Sequence, residues 1–207
     1  MQSTNKKAFF GNYLFEICEN VYDPAEDSFL FAQNLHLKRG ARLLDMGTGS
    51  GLLGILAAKE ASEVFAVDIN PYAIRCAKQN SLLNNVTTNV AFLQTDLFSA
   101  FRESAKFDVI LFNAPYLPSE QLDDATWLER AWEGGTTGRQ IIDRFISQVP
   151  QHLEKTGEIL LLQSNLANIE ETVAKFQTLG MNVEVAARLK MPFFEDLSLL
   201  RIYFTER

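Results

Sequence analysis

The sequence predicts an α/β fold on a mostly parallel, seven-stranded sheet whose last strand is antiparallel. Three observations carry this. Short, continuously apolar segments alternate with helical patterns, which implies a parallel sheet covered on both faces. A glycine cluster, Gly47-Thr48-Gly49-Ser50-Gly51, lies between the first such segment and the next helix. Only about a dozen residues, Pro192 among them, link the last two strand patterns. That favours a hairpin over a crossover.

The elements follow in order. Pro24-Ala25-Glu26-Asp27 opens an apolar-periodic stretch to about Leu37, because proline and acids mark a helix start. Lys38-Arg39-Gly40 closes it with cations and a glycine. Residues 42–46 form the first strand pattern, 52–60 a helix, 64–67 a strand and 71–84 a helix. Strands follow at 90–93 and 109–112, then a helix at 141–153 that Pro150 must bend or break. Residues 159–162 read as a strand, 167–179 as a helix, and 183–187 and 199–204 as strands. The residues before Pro24 read as a polar arm. Residues 117–137, with Trp127, Trp132 and a glycine-rich end, fit no element and read as a functional loop or small subdomain. With no repeat, low-complexity segment or linker, one domain is expected over 1–207. It comprises an arm and helix over 1–40 and a substrate loop over 117–137.

Composition narrows the class without naming it. The 207 residues are 47% hydrophobic and carry a net charge of −7, which argues against unassisted binding to nucleic acid. Two distant cysteines, Cys18 and Cys76, give no zinc-ligand spacing. The start MQSTNKKAFF has no signal-peptide pattern, and no apolar run approaches the roughly 18–20 residues that span a bilayer. A cytoplasmic protein with no membrane contact is expected.

Glycines between a strand and a helix let backbone approach a ligand closely, and the helix N-terminus favours polar groups. Gly49-Ser50-Gly51-Leu52-Leu53-Gly54 also fits the dinucleotide pattern, with Asp68 about 20 residues on. Against a dinucleotide stands Asp45 at the strand tip, where it would repel a pyrophosphate yet welcome a ligand with an ammonium and a sulfonium, such as S-adenosylmethionine. Asp68 would accept from ribose hydroxyls; its plainer role is to cap the helix at Pro71. Asp96 would accept from an adenine amine with Leu97 against the ring, or it is a plain loop acid.

The fourth strand ends in Asn113-Ala114-Pro115-Tyr116, at the carboxyl edge where open α/β sheets place ligands. An amide nitrogen is a poor nucleophile because its lone pair is delocalised. Two acceptors, the Asn113 side-chain oxygen and the Ala114 carbonyl, could hold its two N–H groups. Pro115 biases Ala114 towards extended backbone, and Tyr116 offers a flat face to a planar amide or base. An ordinary turn after a strand would also use Asn and Pro. His36 and His152 fall in helix contexts and suit surface or core roles better than that of a general base. Trp127 and Trp132 either line an entrance or cover the sheet.

Together these residues resemble a class I S-adenosylmethionine-dependent methyltransferase with a Rossmann-like fold, of the N-methylating Asn/Asp-Pro-Pro-Tyr type. Val21-Tyr22-Asp23-Pro24-Ala25-Glu26-Asp27-Ser28-Phe29-Leu30 is similar to the segment preceding the sheet in HemK-like glutamine methyltransferases. Asp68-Ile69-Asn70-Pro71, Ala131-Trp132-Glu133-Gly134-Gly135, Gly138-Arg139 and Asp143-Arg144-Phe145 also resemble that family, nearest its short eukaryotic and archaeal branch. The resemblance spans residues 21–150.

It implies methyl transfer to the glutamine amide of the Gly-Gly-Gln motif of a class 1 release factor. Ser28, Asp45, Gly47, Gly49, Gly51, Asp68, Asp96, Leu97 and Asn113 would hold the cofactor. Asn113, Ala114, Pro115 and Tyr116 would clamp the substrate. It also implies a small zinc-binding activator subunit. The chain departs from the family in having Ala114 where proline is usual, which removes a fixed φ but keeps the backbone carbonyl. The expected chemistry is direct, in-line transfer without a covalent intermediate. RNA or DNA base methylation, small-metabolite methylation and a non-catalytic scaffold are the rivals.

Overall fold

The computed structural model describes residues 6–119 and 125–205. It opens on a hairpin that the sequence reading misses. β1 (Lys6–Phe10) and β2 (Tyr13–Ile17) pair antiparallel about Gly11-Asn12. The expected polar arm is thus corrected from Lys6 onward; its first residues, 1–5, lie outside the described residues. Ala8, Phe15 and Ile17 are buried, so apolar alternation across a Gly-Asn turn outweighs the charged start.

Next come α1 (Glu26–Gln33), β3 (Arg42–Met46), α2 (Leu52–Ala57), β4 (Glu63–Asp68), α3 (Pro71–Leu83), β5 (Val90–Gln94) and β6 (Phe107–Asn113). α4 (Gln140–Gln148), β7 (Leu153–Ser164), α5 (Ile169–Thr178), β8 (Met181–Lys190) and β9 (Asp196–Phe204) complete the order. The helix read over 141–153 stops at Gln148, because Pro150 lacks the N–H that another turn needs. Leu153 already belongs to β7.

The sheet order is β5-β4-β3-β6-β7-β9-β8. β9 runs antiparallel to both neighbours, and every other adjacent pair is parallel. The sheet is therefore the one the sequence predicts. Successive strand residues point to opposite faces. Leu43, Leu160 and Leu162 join Phe31 and Ile55 on the α1–α2 side. Leu44, Ile159 and Leu161 join Phe145 and Phe176 on the α4–α5 side. Truncating one of these buried leucines to alanine is worth about 2–5 kcal/mol.

β2 is held from outside the sheet by two asparagines, Asn80 of α3 and Asn84 at its C-terminal cap. Asn84 Nδ2 donates to Leu14 O at 2.7 Å while Leu14 N–H donates to Asn84 Oδ1 at 3.0 Å. Asn80 makes the same pair with Glu16, at 3.0 and 2.8 Å. A four-residue helix step of about 6 Å matches a two-residue strand step of about 6.6 Å, so the two amides meet alternate strand residues. Among the described residues, no helix is long and apolar enough to cross a membrane, and no group of three or more His, Cys, Asp or Glu could hold a metal ion.

Candidate active site

The carboxyl ends of β3, β4 and β6 open onto a cavity of about 600 Å³, within the usual size of a small-molecule site. Its floor is the turn after β3. Gly49 (φ +55°) lines the cavity, and a Cβ there would meet only the Gly47 carbonyl, at 4.0 Å. Gly51 (φ +89°) does not line it. A Cβ at Gly51 would sit 3.0 Å from Ala77, so this glycine serves the close approach of α2 to α3 rather than a ligand. Gly47 is on the cavity wall, with positive φ as well.

Asp45 departs from expectation in the same way. It is 1% exposed and is not among the cavity-lining residues. Its Oδ2 accepts from Thr48 Oγ1 at 2.6 Å and from Gly54 N–H at 2.9 Å, so the carboxyl is turned into the loop and ties its two ends together. Burial pushes that carboxyl up to about 7 although both hydrogen bonds lower it.

Asp68 does face the cavity, accepting from Gly49 N–H and Asn70 N–H, each at 2.9 Å. Burial raises its pKa against these bonds. Capping of α3 falls instead to Asn70, whose Oδ1 accepts from Tyr72 N–H at 2.9 Å. Asp96 and Leu97 both line the cavity. Asp96 also accepts from Arg144 Nη2 at 2.7 Å, a half-exposed ion pair of the kind worth about 0–1 kcal/mol.

The end of β6 supplies the polar centre. Asn113 Nδ2 donates to Asp27 Oδ2 at 2.9 Å, with Ser28 Oγ at 3.5 Å. A carboxylate only accepts, so the amide nitrogen must face Asp27 and the oxygen must face away. That oxygen, Asn113 Oδ1, is buried and has no hydrogen-bond partner. Asp27 is itself 6% exposed and accepts through Oδ1 from Ser28 N–H, Ser28 Oγ and Tyr22 OH. Burial, then the Asp27 charge, raises the Tyr22 hydroxyl pKa. Sequence reasoning missed Asp27, which looked like an ordinary first-turn acid of α1.

Ala114, Pro115 and Tyr116 line the cavity beside Asn113, and Ala114 N–H donates to Leu162 O at 3.4 Å. The following loop folds back: Leu117 N–H donates to Trp132 O and Gly134 N–H to Leu117 O, both at 2.9 Å. This brings both tryptophans to the cavity, with Trp132 edge-on to Tyr22. Residues 120–124 of the expected substrate loop lie outside the described residues. His152 stacks on Phe98 in the core with Nδ1 2.9 Å from Ala105 O. Neither it nor His36 lines the cavity.

A seven-stranded sheet in this order, with its cavity at the carboxyl edge and a glycine turn after the central strand, is the fold of class I methyltransferases. Residues 28–135 match the family model for ribosomal protein L11 methyltransferase (PrmA). The chain is 48% identical over 187 residues to a Methanocaldococcus jannaschii protein named as a protein N5-glutamine methyltransferase, covering 88% of this chain and 91% of that one. It is 32% identical over 194 residues to human methyltransferase HEMK2, covering 88% and 89%. Among solved structures, that of the E. cuniculi Mtq2–Trm112 complex, responsible for methylation of the eRF1 translation termination factor, superposes with a TM-score of 0.69. The identity there is 23%, over 90% of this chain and 99% of that one. The chain belongs to the protein N5-glutamine methyltransferase family.

Proposed function

We propose that this chain transfers a methyl group from S-adenosylmethionine to the side-chain amide nitrogen of the Gly-Gly-Gln glutamine in a class 1 release factor. The observation that carries this is Asn113 Oδ1, a buried acceptor without a partner in the cavity wall. An unsatisfied buried acceptor is costly, and a ligand N–H is what it lacks.

The residues present fit the cofactor. The Asp68 carboxylate at the cavity wall suits ribose hydroxyls, Gly47 and Gly49 leave space against the backbone, and Leu97 offers an apolar face for a base. Ser28 sits beside Asn113, and Asp96 with Arg144 borders the same space. Asp45 and Gly51 hold the turn in shape. When bound, the cofactor supplies an electrophilic methyl group on a sulfonium.

The rest is done by the chain's own residues. Asn113 Oδ1 accepts one N–H of the substrate amide, and the Ala114 carbonyl accepts the other. Tyr116 packs on the amide plane and excludes water. Holding both hydrogens aims the nitrogen and favours its lone pair, so the gain comes from positioning and preorganised polar groups. The methylated nitrogen loses one proton to water. The loop over 117–137, with Trp127 and Trp132, serves substrate entry.

A protein substrate agrees with the net charge of −7. A small zinc-binding activator belongs to the same proposal; the Mtq2 neighbour was solved in complex with a partner, Trm112. The test incubates the chain, with and without such an activator, with labelled cofactor and a class 1 release factor, using a motif Gln→Ala version as control. Label on the native factor alone is expected. Label on both, or on neither, overturns the glutamine assignment.

A further inference from the structure

We propose that Phe193 and Phe194, at the tip of the β8–β9 turn, form an aromatic wedge that docks the body of the protein substrate beside the cavity. This rests on the reading of a protein substrate given above.

The two rings are 95% and 98% exposed. Both residues also hold left-handed backbone, with φ of +60° and +64°, a conformation that bulky side chains rarely adopt. Two adjacent phenylalanines are therefore both strained and bare in water, and neither feature helps the free chain fold. Such outliers persist where surrounding bonds over-determine them. Met191 N–H donates to Glu195 O at 2.8 Å, closing the turn. Asn165 braces it from β7's end: its Nδ2 donates to Phe194 O at 3.1 Å and its Oδ1 accepts from Asp196 N–H at 2.9 Å. The turn is built to hold the rings outward.

Its place identifies the occupant. β8 runs parallel to β6, so its last residue, Lys190, lies at the same sheet edge as Asn113. Glu195 is close enough for its charge to act on the Tyr116 hydroxyl. This rim is therefore one approach for a polypeptide that delivers a side chain to Tyr116, and two exposed aromatic rings are the residue type that dominates protein contacts. A two-residue anchor also suits a partner that must leave after each turnover, since small contacts belong to transient encounters.

The test uses the full chain carrying Phe193→Gly and Phe194→Gly together. Glycine accepts positive φ freely, so the thermal midpoint should not fall. Initial rates are measured with the intact release factor and with a short peptide containing its Gly-Gly-Gln motif. KM for the intact factor should rise about tenfold or more, with kcat, peptide kinetics and cofactor affinity unchanged. An unchanged KM, or an equal loss on factor and peptide, overturns the docking role. So does loss of activator binding or of a dimer in the variant, which would give the wedge another occupant. A wild-type chain inactive on the factor overturns the glutamine reading and this role with it; an active wild type with an unaltered variant overturns the docking alone.

Discussion

The Asn113 amide nitrogen donates to Asp27 Oδ2 at 2.9 Å, joining residues 86 positions apart. That bond decides which end of the amide faces Asp27 and leaves the oxygen as the unpaired acceptor. With Asp27→Asn, the facing group can donate as well as accept, and the Asn113 amide is free to turn over. We expect kcat to fall about tenfold or more, with cofactor affinity within a few-fold. Asn113→Ala should abolish transfer while leaving cofactor binding similarly intact. Calorimetry with steady-state kinetics separates the two effects.

The glycines of the turn after β3 should fail in different ways. At Gly51, a methyl group meets Ala77 at 3.0 Å with φ at +89°. Gly51→Ala should therefore cost about 2 kcal/mol or more and lower the thermal midpoint by several degrees. Gly49→Ala makes only an ordinary contact, with the Gly47 carbonyl at 4.0 Å, and bears only left-handed strain of about 1–2 kcal/mol. Its larger effect should be weaker cofactor binding, since Gly49 is on the cavity wall. Thermal melts paired with binding titrations check this contrast.

Asp45 makes a pH-dependent contribution whose sign follows from burial. Its folded pKa of about 7 lies above the ordinary 3.8 of an aspartate carboxyl, so the folded state holds a proton that the unfolded state has released. The stabilisation is fully present below about pH 4 and is lost as pH rises through about 7. Asp45→Asn removes this titration and keeps an acceptor for Thr48 or Gly54. The midpoint of the variant minus that of the wild type should grow more positive between pH 5 and 8. A difference that stays flat across that range would rule the effect out.

Arg139, 4% exposed, is a structural fastener. Its Nη1 donates to Asn168 O at 2.7 Å and Thr172 Oγ1 at 3.0 Å, and its Nη2 to Asp143 at 2.7 Å. This ties the start of α4 to the start of α5. Arg139→Ala strands those acceptors and should cost about 3 kcal/mol. Arg139→Lys, lacking the planar fork, should recover only part of it. Denaturant melts give both values.

What the sequence showed was local. The strand patterns and the Asn113–Tyr116 turn are readable because period and turn chemistry act over a few residues. The β1–β2 hairpin carried a local sign too, Gly11-Asn12 between alternating apolar residues, but Lys6-Lys7 masked it. Asp27 and Asp45 show where the reading ended. Both are acids at element ends, yet which way each carboxyl turns depends on partners that only the folded chain supplies. For Asp27 the partner lies on β6, and for Asp45 it is the curl of its own loop. Phe193 and Phe194 follow Pro192 in the link between the last two strands, and nothing in sequence marks their exposure or left-handed backbone.

The asparagine pairs on β2 have a consequence for how the chain behaves in a crowded solution. A two-stranded sheet leaves edges whose free N–H and C=O groups invite another chain to add a strand. Asn80 and Asn84 occupy those groups at Leu14 and Glu16 with side-chain amides that stop after one layer. The helix thus ends the ladder where a neighbouring molecule would otherwise extend it. Replacing Asn84 alone with leucine frees the Leu14 groups while Asn80 keeps its bond to Ser50 O on the cavity floor, and should make the protein aggregate at concentrations the wild type tolerates.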